Sequence, residues 1–136
     1  MSKEKTLMDF VKAAKSCTKS ISIEEVTTLQ AEQHFGILDV REYEEYAEGT
    51  IDGAVNVPRG MLEAFCDHSY PSRRAEMQDR ERPWLILCAT GGRAAMAADV
   101  MQQMGFSDVR VIEGGIAAWK EAEKGTVIPP RHVHHA

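Results

Sequence analysis

One short stretch of the chain combines the residue types that nucleophilic catalysis needs. Cys88 follows the apolar run 84–87, Gly91 and Gly92 come next, and Arg93 precedes an alanine-rich segment. Glycines let the backbone curl, so that successive N–H groups converge and form an anion-binding nest. A helix that begins here adds the positive end of its dipole, and Arg93 adds a permanent cation. Because all three features favour the thiolate of Cys88, this residue is a candidate nucleophile.

The alternative interpretation of Cys88 is a buried, inert thiol at the end of a core strand, since free cysteines are often buried. The convergence of glycines, an arginine and a helix start favours the reactive site. Cys66 could act as a second thiol in a relay, but a packed small residue on a short helix is the favoured interpretation, and Cys17 is less suited still. The chain has three cysteines at wide spacing and no CxxC pair. This pattern favours neither a disulfide framework nor a zinc site.

The elements around Cys88 place it at the edge of a sheet. The run before it lacks polar alternation, which predicts a central strand with both faces covered. Further strands are predicted near residue 21 and at 36–40, 53–58 and 108–114, with helices between them. This alternation predicts an α/β fold with a mostly parallel sheet of about five strands and helices on both faces. Ligands of such sheets bind beyond the carboxyl ends of the strands, and Cys88 lies at that end.

Local signals also place several helices. Ser22 and Glu25 form a capping box that starts a helix over about 23–31, while the stretch 60–80 has the least regular pattern. A first helix over 6–17, begun by a similar Thr6–Asp9 pair, has one apolar face made of Leu7, Phe10, Val11 and Ala14. A short polar helix after Arg41 has an acidic face that we interpret as solvated, with Glu42, Glu44, Glu45 and Glu48.

Composition excludes several classes of function. The chain has 136 residues, of which 27% are charged, and a net charge of -5. An acidic balance argues against a nucleic-acid partner or an anionic membrane surface. No apolar run approaches the length of a membrane span, and the charged start "MSKEKTLMDFVKAAK" is unlike a signal peptide. We therefore expect a cytoplasmic protein without a membrane partner.

Three blocks of the sequence resemble single-domain rhodanese-like sulfurtransferases. The loop "CATGGRA" is similar to their Cys-x-x-Gly-x-Arg-Ser/Ala loop. The stretch "ILDVREYEEYAEGTIDGAVNVPRGMLE" resembles the family's Leu-Asp-Val-Arg to Asn-Ile-Pro segment, and "VRVIEGGIAAWKEAEKGTVI" resembles its closing Gly-Gly-x-x-x-Trp block. The blocks follow the family order. They imply an N-terminal helical extension at 1–20, a rhodanese-like domain at 21–128 and a C-terminal tail at 129–136.

The resemblance implies a sulfurtransferase in which Cys88 carries a persulfide. The thiolate would take sulfane sulfur from a small donor such as thiosulfate or a polysulfide, or from a persulfide-bearing protein. It would then pass the sulfur to a thiol or to cyanide, a double displacement that needs neither cofactor nor metal. The backbone of the loop would hold the anionic persulfide, and that loop comprises Ala89, Thr90, Gly91, Gly92, Arg93 and Ala94.

The spacing within the loop separates two chemistries known on this fold. Four residues lie between Cys88 and Arg93, whereas the related phosphatases have one residue more and a wider cradle for phosphate. The sequence therefore favours sulfur transfer. It departs from the family at Thr50, where histidine is frequent, and at Ala89 and Ala94, where basic residues and serine are frequent. With Arg93 as the one charged residue of the loop, we expect weak binding of thiosulfate.

Three polar residues outside the loop are candidates for supporting roles. Asp39 and Arg41 follow an early strand, and a structural role is favoured, with Arg41 paired to a carboxylate such as Glu45. Arg59 could reach the pocket mouth as a second anion contact, although a solvated surface arginine is the favoured interpretation. The alternative to an enzyme is a non-enzymatic module of this fold that binds a partner or senses oxidants through Cys88. The histidine-rich end "RHVHHA" is predicted to be a loose tail or arm rather than a metal site.

Overall fold

Five parallel strands form the centre of the molecule, as the sequence predicts. The computed structural model describes residues 4–32 and 35–130. Within them, the strands lie in the spatial order β1-β5-β4-β2-β3. Their bounds are Lys19–Ile21 for β1, Gly36–Asp39 for β2, Val55–Asn56 for β3, Trp84–Leu87 for β4 and Val109–Ile112 for β5.

Six α-helices cover the two faces of this sheet, which confirms the predicted fold class. Their bounds are Leu7–Ser16 for α1, Ile23–Leu29 for α2, Tyr43–Glu48 for α3, Leu62–Cys66 for α4, Gly92–Gln103 for α5 and Gly115–Glu121 for α6. The stretch 60–80, for which the sequence pattern was least regular, contains α4 and a 3-10 turn at Ala75–Met77, and a second 3-10 turn at Arg59–Met61 precedes α4.

The central strand β4 separates two apolar cores, which is why its sequence shows no polar alternation. Trp84, Ile86 and Cys88 face a core that α1, α4 and α5 cover. Leu85 and Leu87 face a second core that α2 and α6 cover. Each of these five side chains is at most 1% exposed. Burial on both faces fixes the end of β4, and with it the place of Cys88.

The predicted capping boxes form as expected. Ser22 Oγ accepts a hydrogen bond from the Glu25 N–H at 3.2 Å, and the Glu25 carboxylate accepts one from the Ser22 N–H at 3.2 Å. The Thr6–Asp9 pair makes the same reciprocal bonds at the start of α1. These local bonds satisfy N–H groups that a helix leaves without partners.

The apolar face predicted for α1 is only half buried. Val11 and Ala14 pack against the domain, but Leu7 is 66% and Phe10 is 54% exposed. A Cβ atom at Gly92, the first residue of α5, would lie 3.5 Å from the Val11 side chain. Within the described residues, no element buries Leu7 and Phe10, and both side chains remain more than half exposed.

The segment after α6 is an ordered arm as far as the structure describes it. Val127 and Thr50 exchange two backbone hydrogen bonds, of 2.9 and 3.0 Å, in an antiparallel bridge. The Trp119 indole N–H also donates to the carbonyl of Gly125 at 2.6 Å. The prediction for the histidine-rich end concerns residues 131–136, which lie outside the described part of the chain.

Candidate active site

The Cys88 thiol lies at the bottom of a backbone cradle. It is 1% exposed, and its Sγ accepts a hydrogen bond from the Gly91 N–H at 2.9 Å. Gly91 adopts a left-handed conformation, with φ +119°, immediately before α5 begins. The first-turn N–H groups of α5 belong to Gly92, Arg93 and Ala94, and a helix provides no internal acceptor for such groups. The loop therefore presents the Gly91 N–H to the sulfur atom, directly before the N-terminus of α5.

The start of α6, at Gly114 and Gly115, packs against the backbone of this loop. The Ile116 N–H donates to the carbonyl of Cys88 at 2.8 Å, and the Ala117 N–H donates to that of Ala89 at 3.2 Å. A Cβ atom at Gly115 would lie 2.4 Å from the Cys88 carbonyl oxygen, which is too close for any side chain. Gly115 has φ +61°, so the close approach and the backbone conformation both require glycine. The sequence showed the Gly-Gly pair as a family block, but not its position against the backbone of Cys88.

Arg93 is bound by a carboxylate at the edge of the cradle. Its Nη1 and Nη2 donate to Glu45 Oε1 at 2.8 Å and Oε2 at 3.0 Å, which is a bidentate ion pair. This hydrogen bonding lowers the pKa of Glu45 to about 2 and raises the pKa of Arg93. The sequence suggested that Glu45 belongs to a solvated acidic face. The structure instead places its carboxylate in an ion pair with Arg93. Two of the five N–H donors of Arg93 are engaged, which reduces the positive charge available to a bound anion.

Asp39 and Arg41 form a buried scaffold beside the loop. Asp39 lies next to Leu87 in the strand register, and its carboxylate accepts from Arg41 Nε at 3.0 Å and Nη2 at 2.8 Å. The sequence interpretation paired Arg41 with a carboxylate such as Glu45. In the structure Arg41 pairs with Asp39, because Asp39 ends β2 only two residues before Arg41. Arg41 Nη2 also donates to the Gly49 carbonyl at 2.7 Å. These contacts support the structural role that we favoured for both residues.

Thr50, the residue at the family's frequent histidine position, belongs to the same scaffold. It is 1% exposed, and its hydroxyl donates to Asp39 Oδ2 at 2.8 Å. Its backbone forms the bridge to Val127. The hydroxyl therefore supplies the buried carboxylate with a further donor, so that this departure from the family has a structural explanation.

The remaining candidate residues make contacts that do not involve Cys88. Arg59 Nη1 donates to Glu63 Oε1 at 2.9 Å, one helical turn away on the surface. Cys66 is fully buried, and desolvation raises the pKa of its thiol to about 11, which opposes a thiolate relay. Cys17 is exposed, and partial desolvation together with its hydrogen bond to the Asp99 carboxylate raises its pKa.

A cysteine that accepts a backbone N–H bond at the carboxyl end of a parallel sheet is suited to group transfer through its thiol. The comparisons identify the family. The model of the rhodanese-like domain matches residues 22–122, and the chain belongs to this family. It is a rhodanese-type sulfurtransferase.

Curated relatives of similar length support this assignment. The chain is 29% identical over 107 residues to the thiosulfate sulfurtransferase GlpE of Shewanella oneidensis, covering 79% of this chain and 97% of that protein. It is 30% identical over 110 residues to the human thiosulfate:glutathione sulfurtransferase, covering 76% and 95% of the two chains.

Solved structures share the fold at comparable identity. A Rhodopseudomonas palustris protein of unknown function, described as a possible tyrosine phosphatase, matches with a TM-score of 0.84 and 28% identity. The match covers 95% of this chain and 98% of that one. The human single-domain sulfurtransferase matches with a TM-score of 0.67 and 28% identity, over 76% and 96% of the two chains. The first match also includes residues before 22, where the match to the family model begins.

Two further observations concern the described residues only. None of the helices at 4–32 and 35–130 is long and apolar enough to cross a membrane. The same ranges contain no cluster of three metal-ligating side chains.

Proposed function

We propose that this protein moves sulfane sulfur through a persulfide on Cys88. The observation that carries the proposal is the hydrogen bond from the Gly91 N–H to Cys88 Sγ, at the start of α5. A cradle that already contacts the sulfur of the thiol is suited to hold the outer sulfur of a persulfide in the same field of N–H donors. The burial of Cys88 among apolar residues also protects the reactive sulfur from solvent.

With thiosulfate as donor, the first displacement is balanced without an oxidant. The Cys88 thiolate attacks the outer sulfur of thiosulfate, the sulfur–sulfur bond of the donor breaks, and sulfite leaves with the electron pair. The enzyme then holds a persulfide anion. In the second displacement, an acceptor thiolate or cyanide takes the outer sulfur, and Cys88 leaves as the thiolate. A persulfide-bearing protein or a polysulfide can replace thiosulfate in the same scheme.

The Arg93–Glu45 pair bears on the choice of donor. Thiosulfate is a dianion, and the arginine that would neutralise it is already engaged with a carboxylate. We therefore propose that a persulfide or polysulfide donor reacts more efficiently than thiosulfate. Two relatives are a thiosulfate sulfurtransferase and a thiosulfate:glutathione sulfurtransferase, so both donors belong in the test.

The test is mass spectrometry of the protein after incubation with thiosulfate or polysulfide. We expect an adduct with the mass of one sulfur atom on the peptide that contains Cys88. The adduct should be released by cyanide and should be absent from Cys88→Ser, while Cys66→Ala and Cys17→Ser retain it. Circular dichroism and thermal melting show whether each variant folds.

Two results would count against the proposal. If the sulfur appears on Cys17 or Cys66 while Cys88 stays unmodified, the nucleophile is assigned wrongly. If Cys88 reacts once with an oxidant but shows no turnover with any donor and cyanide, the protein is a redox-sensing module and not a transferase.

A further inference from the structure

The first turn of α1 carries two large apolar side chains that the domain leaves exposed. Leu7 is 66% and Phe10 is 54% exposed. Leu7 lies one helical turn before Val11 and two turns before Ala14, so these three side chains share one stripe of the helix. Val11 and Ala14 are only 4% and 2% exposed. The stripe that packs against the domain at Val11 therefore continues at Leu7, where no described element covers it.

Two contacts show where this first turn lies along α5. A Cβ atom at Gly92 would lie 3.5 Å from the Val11 side chain, and the Gln102 side chain donates to the Cys17 carbonyl at 3.0 Å. In both pairs the later residue of the extension meets the later residue of α5, so the two helices run in the same direction. Because Gly92 begins α5, residues 7–10 lie towards the N-terminal end of that helix.

The N-terminal end of α5 is also the end that carries the reacting sulfur. Gly91 immediately precedes α5, and its N–H donates to Cys88 Sγ at 2.9 Å. Cys88 and Val11 thus contact adjacent residues of one loop, Gly91 and Gly92. Because Cys88 is 1% exposed, a protein that delivers sulfur must reach it with a protruding segment. The side chains that flank such a segment would meet the surfaces beside the loop, which include the first turn of α1.

The N-terminal extension is basic, although the chain as a whole is acidic. Residues 1–19 contain five lysines and two acidic residues, which is a net charge of +3 in a chain whose net charge is -5. Lys5 Nζ lies 5.7 Å from the centroid of the Phe10 ring. Among the residues that the structure describes, neither Lys5 nor Lys15 makes an ion pair within 4.0 Å. An acidic partner is therefore attracted to the extension and repelled by the remainder of the surface.

The direction of the apolar stripe favours a protein partner over a membrane. A helix that lies on a membrane turns its apolar face into the lipid and away from the protein that it anchors. Leu7 instead shares its stripe with Val11 and Ala14, which pack against the domain. A protruding segment of another protein can fill the space beside the loop, whereas a lipid surface is blocked by the domain. A second copy of this chain is disfavoured, because it would bring two basic extensions together.

We propose that the first turn of α1 is the docking site of an acidic protein that delivers sulfur to Cys88 as a persulfide. Leu7 and Phe10 contact an apolar side chain beside the partner's reactive cysteine, and Lys5 binds a carboxylate. This inference rests on the proposed function of Cys88. The Cys88 thiolate attacks the outer sulfur of the partner's protonated persulfide, a new sulfur–sulfur bond forms, and that of the partner breaks. The partner leaves as a thiolate and Cys88 holds a protonated persulfide, so charge and sulfur are conserved.

The experiment uses the full-length protein and short synthetic peptides that carry a cysteine persulfide. The acidic probe has glutamates and one leucine beside the cysteine. A second probe has serine in place of the leucine, and a third has glutamines in place of the glutamates. Mass spectrometry follows the rate at which sulfur appears on Cys88, and polysulfide is the donor that needs no docking.

The variants separate the apolar stripe from the rest of the same turn. Leu7→Ser combined with Phe10→Ser removes the apolar contacts. Met8→Ser is the matched control, because Met8 is 63% exposed in the same turn but lies about 100° around the helix from Leu7. All three side chains are exposed, so the variants should fold, which circular dichroism checks.

We expect the double variant to take sulfur from the acidic probe about tenfold more slowly than the wild type, as for residues at the centre of an interface. The wild type should prefer the leucine probe to the serine probe, and the double variant should lose this preference. Lys5→Gln should slow the glutamate probe by about threefold and weaken its dependence on salt, whereas Lys120→Gln, an exposed lysine on α6, should do neither. Met8→Ser should react with every probe as the wild type does, and all variants should keep the wild-type rate with polysulfide.

Three results would overturn the inference. Equal rates of the wild type and the double variant with the acidic probe would show that the turn does not contact the donor. An equal loss with polysulfide would reveal a structural effect on Cys88. Binding to phosphatidylglycerol vesicles, or a dimer in analytical ultracentrifugation, that the double variant abolishes without any change in probe rates would assign the turn to a membrane or to a second copy. Failure of the proposed function is distinct, because Cys88 would then gain sulfur from none of the donors.

Discussion

The contact of Gly115 with the Cys88 carbonyl gives the sharpest test of how the fold positions Cys88. We expect Gly115→Ala to destabilise the protein and to impair sulfur transfer together. The added Cβ would lie 2.4 Å from the Cys88 carbonyl oxygen and 2.7 Å from the Ala89 carbonyl carbon and oxygen. Real Cβ atoms stay at least 3.0 Å from such neighbours. The loop and the start of α6 must therefore separate by about 0.6 Å, the difference between 3.0 and 2.4 Å.

Three costs add up to the expected loss of stability. Alanine at φ +61° costs about 1 kcal/mol of backbone strain. Forcing a methyl group into a filled space costs about 1–3 kcal/mol. Lengthening the bond from the Ile116 N–H to the Cys88 carbonyl, now 2.8 Å, costs up to about 1 kcal/mol. The free energy of unfolding should fall by about 2–5 kcal/mol. Because displacement of a reacting group by ~1 Å can cost about a hundredfold in rate, we expect at least a tenfold loss in kcat/KM.

The assay is urea unfolding followed by steady-state transfer from thiosulfate to cyanide, under conditions where the variant is folded. Gly53→Ala is the matched control, since Gly53 has φ +85° and a Cβ there meets nothing within 4 Å. That variant should lose only about 1 kcal/mol and keep its activity. If Gly115→Ala and Gly53→Ala lose the same stability and both retain wild-type kcat/KM, the close contact does not position Cys88, and the reasoning is refuted.

Three other substitutions test the surroundings of the loop, each by urea unfolding. Glu45→Gln should lose about 1 kcal/mol at pH 7, because 38% of its side chain is exposed and solvent screens the pair with Arg93. The folded pKa of about 2 lies below the ordinary 4.5, so this difference should disappear as the pH falls from about 4.5 towards 2, and its persistence there would contradict the ion pair. Thr50→Val should lose about 2 kcal/mol, because the buried Asp39 carboxylate loses a donor, and a neutral effect would contradict that role. Cys66→Ala should lose about 1–2 kcal/mol of unfolding free energy, because Cys66 is fully buried. Mass spectrometry should still detect sulfur on Cys88 of this variant. Loss of that sulfur would support a role for Cys66 as a second thiol in a relay.

Much of the fold could be predicted because its signals are local in sequence. The capping boxes at Thr6 and Ser22 involve residues three positions apart, and the unbroken apolar run before Cys88 directly indicates a strand buried on both faces. Gly91 and Gly92 marked a tight loop before a helix for the same reason. Such patterns depend on bonds within one element, so one sequence is enough to recognise them.

The site was harder to predict because its partners are distant in sequence. Glu45 and Arg93 are 48 positions apart, and the local bond of Glu45 to the Glu42 N–H at the start of α3 gives no sign of this distant partner. The bridge between Thr50 and Val127 and the contact of Gly115 with Cys88 likewise depend on how the strands are ordered in space. The prediction that the first turn of α1 is buried was wrong although its signal is local in sequence. Its apolar periodicity is real, but burial also requires a neighbouring element, and Leu7 and Phe10 remain 66% and 54% exposed.

The position of β1 has a consequence for any attempt to work with a shortened chain. The family match begins at residue 22, just after β1, yet β1 is the edge strand that pairs with β5 at Lys19–Arg110, Ser20–Val111 and Ile21–Ile112. A fragment cut at residue 22 would leave unpaired those backbone groups of β5 that bond to β1, along the strand "VRVI", while the bonds to β4 remain. An open apolar edge of this kind is a template for intermolecular pairing. The minimal stable unit of this protein therefore starts before its family boundary, and self-association of a shortened fragment would reflect the missing strand and not the chemistry of Cys88.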